Sequence, residues 1–133
     1  MFNLIQYQIK NYLFVTSGVV AVVFALMLPM LIASVGVTVD MSQAYLVKTR
    51  LNRALDAAAL AAAATGSEDQ TVLEDKVDAF MNANYPETRI GDVLSVDVNL
   101  NGNLLTVGAD ARFNTSFMKI FGFDLIDVSS QTT

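Results

Sequence analysis

The sequence predicts an α+β protein: one long N-terminal helix that changes from membrane-spanning to amphipathic, packed on a small three-stranded antiparallel sheet. Three observations predict it. The 29 residues between Lys10 and Asp40 carry no charge, and a helical pattern continues past them with neither Pro nor a turn pair between Thr38 and Ala64. Farther on, apolar and polar residues alternate on both sides of Asn101-Gly102, and a third β-like run, "FDLIDVSS", follows a short helical stretch. At 133 residues the length suits one folded domain.

The uncharged run comes first. As a helix it would span roughly 43 Å, against a bilayer hydrocarbon core of about 30 Å. Its densest part, Val19 to Val37, is long enough to cross alone. A buried helix of a soluble protein has a shorter apolar stretch. A cleaved secretory signal would also be shorter, with more than the single Lys10 before it, although "IASVG" offers small residues at a plausible cleavage point. The reading is therefore residues 1–39 as an N-terminal tail and transmembrane segment. Pro29 lacks an N–H and crowds the carbonyl four residues back, so a kink is expected near Ala25–Pro29.

Residues 40–133 form the second region, with a helical stem over 40–64, a helix over 71–84 and a sheet region over 92–133. In the stem, Ala44, Val47, Leu51, Leu55, Ala58 and Ala62 recur at spacings of three and four, a single stripe, with Lys48, Arg50, Asn52, Arg53 and Asp56 on the other faces. The run "ALDAAALAAAAT" has near-optimal helix propensity, and Gly66 is placed to end it. Ser67 or Asp69 can cap the second helix, whose apolar side is Val72, Leu73, Val77, Phe80 and Met81; "NYPET" ends it.

The period then changes from helix to strand. Leu94, Val96, Val98 and Leu100 face one way, and Leu105, Val107, Ala109, Ala111 and Phe113 return on the same side. Asn101-Gly102 is the expected two-residue turn. "NTSFMKIFG" predicts a short helix capped by Asn114 or Thr115 and stopped at Gly122. A sheet with one apolar face must be covered, and the stem helix is the available cover, with Leu51, Leu55, Ala58 and Ala62 packing on the sheet or on a partner.

Composition narrows the chemistry. There is no Cys and no His, which removes thiol nucleophiles, disulfides, thiolate metal sites and the commonest general base. Beyond Val39 there are 13 Asp and Glu against seven Lys and Arg, since Lys10 is the only one of eight basic residues before that point; so acidic a surface argues against nucleic acid. Glu68-Asp69, Glu74-Asp75-Asp78 and Asp124 with Asp127 lack the spacing of a calcium loop. No cofactor, metal site or catalytic residue is expected, and the chain does not read as an enzyme.

Gly18 with "VVAVVFALMLPMLI", then "GVTVDMSQAYLVKTRLNRALDAAALAAA" from Gly36 to Ala63, and the closing "ARFNTSFMKIFGFDLIDVSS" together resemble the TadE/TadG-like proteins of tight-adherence (Tad, Flp) pilus assembly. The resemblance implies a pilin-like fold and a bacterial inner-membrane protein crossing once, with its C-terminal domain extracytoplasmic, at the cell surface or in a filament. It implies a structural role as a minor-pilin-like subunit or assembly component, with lipid and other pilus subunits as partners and self-association through the N-terminal helix as one form of that role. On this reading Gly18, Val23, Phe24, Leu28, Pro29, Leu31 and Gly36 are the membrane and assembly positions. Prepilins of the pathway carry Glu five residues after the cleavage Gly; here that place after Gly18 is Val23. An envelope-anchored module that binds an extracellular ligand is the alternative. The positive-inside count opposes an outward C-terminal domain, because Lys48, Arg50 and Arg53 outnumber Lys10.

Overall fold

The computed structural model describes residues 16–85 and 91–133. Helix α1 (Thr16–Ala63) is followed by α2 (Gln70–Asn84), strands β1 (Asp92–Asn101) and β2 (Leu104–Asn114), a 3₁₀ turn (Met118–Phe121) and strand β3 (Leu125–Thr132). The order is the expected α+β order. The helix-ending Pro86 lies outside the described residues, as does the N-terminal tail.

Helix α1 is continuous for 48 residues, passing through Pro29 and across Asp40. At 1.5 Å per residue it is about 72 Å long. Its two halves meet different surroundings. From Val19 to Val35 the large apolar side chains are exposed, Leu26 at 73%, and the most apolar stretch buries nothing against the rest of the molecule. From Val47 onward one face is buried: Val47, Leu51, Ala54, Leu55, Ala58 and Ala62.

Helix α2 is capped by Asp69, whose side chain accepts from the Thr71 N–H. It buries Leu73, Val77 and Met81, while Val72, expected on that face, is exposed. The sheet has the order β1-β2-β3, all antiparallel. Helix α1 lies over β2 and β3, and α2 covers the β1 side and packs on α1. The shared core joins those helix faces to Val107, Ala109, Ala111, Phe113 and Val128, with Val93, Val96 and Val98 packed at its margin. Burying a side chain such as Leu51 or Leu55 is worth about 1.5–3 kcal/mol each.

Two details of the sheet differ from expectation. The register shifts between Val93 and Ser95, so Leu94 falls in the irregularity and points out at 50% exposure, while Val93 takes the inward place. Such a bulge adds a residue to one strand and reverses the alternation locally. At the hairpin, Asn101 still pairs with Leu104, so the two turn residues are Gly102-Asn103 rather than Asn101-Gly102. Gly102 has φ +61 and no other residue type in the described chain has positive φ, which fits a turn with Gly at its first central position.

Candidate functional site

The junction between the bare and the packed halves of α1 is the most specialised place in the molecule. Asp40 is fully buried although it is the first charged residue after the apolar run. Its carboxylate accepts three backbone hydrogen bonds: Oδ1 from the Ser116 N–H at 2.8 Å, and Oδ2 from Phe117 at 2.9 Å and Met118 at 2.6 Å. These are the N–H groups entering the 3₁₀ turn, which have no partner inside a helical turn and attract negative charge. The expected caps act elsewhere. Asn114 is paired in β2, and the Thr115 hydroxyl donates to the Phe123 carbonyl. The cap comes instead from another element, 76 residues earlier in the chain.

Burial alone would raise the Asp40 pKa. The N–H groups of Met118, Ser116 and Phe117, helped by the charge of Lys119, outweigh it and hold the carboxyl below the usual Asp value of 3.8. One helical turn earlier, Gly36 completes the joint. A Cβ there would stand 2.6 Å from the Phe117 Cβ, so only the absence of a side chain lets the turn lie against the helix. Gln43 adds a contact to Ser116. Gly36, Asp40 and Gln43 share one face at helical spacing, and together they fix the 3₁₀ turn to α1.

Of the candidate positions, Val23, Phe24, Leu28, Pro29 and Leu31 are exposed along the bare half, and Gly18 is half-buried. They lie on several faces of the helix. Gly36 is buried under Phe117. Leu51, Leu55, Ala58 and Ala62 are each 0% exposed and belong to the core. Hydroxyls on the apolar helix are satisfied within it: Ser34, Thr38 and Ser42 each donate to the carbonyl four residues back. Sequence reasoning treated Asp40 as the end of the apolar run and missed its role. The available signal was an acid that closes a 29-residue uncharged run, one helical turn after a Gly.

The outer sheet face is polar. Arg112 pairs with Asp127 directly across the strands, through Nε at 2.6 Å and a guanidinium NH2 at 2.9 Å. An open depression of about 440 Å³ lies over Gly108, lined by Asp97, Asn99, Thr106, Asp110, Ser129 and Gln131 among others. Among the described residues, no group of three or more Asp or Glu is placed to hold a metal ion.

An exposed apolar helix of membrane-spanning length, running unbroken into the core helix of a small α+β head and fastened to it at the crossover, defines a helix-anchored, head-bearing class of protein. Within that class, residues 18–65 match the Tad family model, described as "Putative Flp pilus-assembly TadE/G-like". The match begins at Gly18 and covers both halves of α1, and it supports a Tad/Flp pilus-related role. No curated protein and no solved structure matches the chain at a significant level.

Proposed function

We propose that this protein is a structural component of a Tad/Flp-type pilus or of its assembly machinery, anchored by residues 1–39 in the bacterial inner membrane and presenting residues 40–133 outside the cytoplasm as a minor-pilin-like subunit. The observation that carries the reading is the single rod. The segment similar to TadE/G-like proteins is one helix whose first half has nothing of its own to pack on and whose second half is the core of the head. Such a helix serves equally well as a membrane anchor and, if withdrawn from lipid, as the packing surface of a filament, where Val23, Phe24, Leu28 and Leu31 would meet neighbouring subunits.

The role is structural rather than catalytic. A subunit of this kind needs a stiff connection between anchor and head, which the Asp40 joint supplies, and a stable head, which Leu51, Leu55, Ala58 and Ala62 supply from the same helix. The second reading, an envelope-anchored binding module, draws on the polar depression over Gly108. Deleting the protein in its host and comparing sheared surface filaments with washed membranes tests the first reading. Loss of pili with the tagged protein found in filaments makes it a subunit; loss with the protein confined to membranes makes it an assembly component. Normal piliation without it overturns the proposal and leaves the binding module.

A further inference from the structure

The end of the head nearest the bare helix carries an apolar surface that the core does not use. Across the 3₁₀ turn and into β3, Ile120 is 73% exposed, Phe123 60%, Phe121 56%, Leu125 49% and Phe117 38%. Within residues 117–125 the charged side chains are Lys119 and Asp124, the latter exposed between Phe123 and Leu125. Soluble surfaces seldom gather so many aromatic and aliphatic groups in one short segment without a partner.

Their position in the fold identifies that partner. The turn is held to α1 by Asp40, and Phe117 lies against Gly36, which is inside the uncharged run rather than beyond it. About 20 helical residues cross the hydrocarbon core. Counted back from Asp40, that span takes in Gly36, so the side chains beside Gly36 stand at the same depth as the last turn of the anchor. Val35, Val37 and Met41, which flank that contact on α1, are exposed as well. Aromatic residues with a nearby Lys are also the composition that favours the lipid–water boundary, where the rings enter the acyl region and the ammonium reaches the headgroups.

We propose that residues 117–125 form a second membrane-seating element: a shallow apolar foot, with Phe117, Ile120, Phe121, Phe123 and Leu125 in the headgroup–acyl boundary of the leaflet from which α1 emerges. The proposal rests on the membrane-anchor reading and adds to it that the head is docked on the bilayer, not held above it. Two seats a few residues apart in depth fix the tilt of the head as well as its position. The Asp40 joint then has a second purpose, holding the foot level with the end of the anchor.

The chain contains no Trp, so single substitutions report depth without interference. The full-length protein would be reconstituted into phosphatidylcholine–phosphatidylglycerol vesicles whose acyl chains carry bromine either near the headgroup or near the terminal methyl. Four variants are compared: Phe121→Trp and Phe123→Trp in the foot, Phe24→Trp in the anchor and Leu60→Trp at an exposed position far along α1. The foot variants are expected to shift to the blue and to lose about half their emission to shallow bromine but little to deep bromine, as interfacial side chains do. Phe24→Trp should be quenched most by deep bromine and Leu60→Trp by neither. If Phe24→Trp is quenched while both foot variants behave as Leu60→Trp does, the foot is overturned and the anchor stands. If the foot variants are shielded from aqueous acrylamide yet insensitive to bromine, protein covers this face, whether a second copy or another subunit, and the proposal fails. If Phe24→Trp is not quenched by deep bromine, the anchor reading and the foot fall together.

Discussion

Asp40 is a charge placed where burial opposes it, and it stays charged because three N–H groups point at it. Its pKa is lowered in the fold, so the stability it contributes is complete above the ordinary Asp value of 3.8 and is lost as pH falls through the lower folded value. Asp127 behaves in the same direction, its carboxyl held down by Arg112, so the wild-type pH profile combines both. Thermal unfolding in detergent micelles across that acidic window should show Asp40→Asn less stable than wild type at neutral pH, with the difference shrinking as the medium becomes more acidic. A difference that is constant with pH would mean that the carboxylate charge is not what the turn uses. Gly36 makes the complementary prediction through sterics. Gly36→Leu forces Phe117 away from the helix, and overpacking of this kind costs about 1–3 kcal/mol, readable as a lower denaturation midpoint.

At the scale of elements, the packed half of α1 is the principal cover of the sheet. Leu55→Ala removes a side chain that is 0% exposed and should cost about 2–5 kcal/mol in equilibrium unfolding. Leu60→Ala, at 72% exposure on the same helix, should stay within about 0.5 kcal/mol of wild type. Equal effects would mean that the stripe faces a partner rather than the sheet. The elements themselves were legible because periodicity is a local property: Val47, Leu51, Leu55, Ala58 and Ala62 repeat as a helix, and Val96, Val98 and Leu100 as a strand, whatever lies opposite. The departures in the sheet are properties of pairs. Leu94 turns outward because β2 sets a register that β1 meets only by bulging. Asn101 is a strand residue because it pairs with Leu104, which moves the turn to Gly102-Asn103. The capping of the 3₁₀ turn was illegible for the same reason: local rules nominate Asn114 or Thr115, and nothing near the turn in sequence reveals that Asp40 is beside it.

For the whole molecule, the proposed arrangement sets the head and the tail of α1 on opposite sides of a bilayer. The chain has no Cys, so Leu60→Cys introduces one thiol at an exposed place on the head. A membrane-impermeant maleimide should label it in intact spheroplasts as strongly as after lysis; labelling only after lysis would put the head in the cytoplasm, as the count of Lys48, Arg50 and Arg53 against Lys10 favours. The joint also orders events in time. The groups that neutralise the buried acid at position 40 lie 76 to 78 residues later in the chain. While the chain is being synthesised, that acid has to remain hydrated until the ribosome has delivered residues 116–118. A product that stops short of them keeps an unmatched carboxylate at the exit of its anchor, where a protease or chaperone can meet it. The contact therefore marks a chain that has been extended at least as far as residue 118.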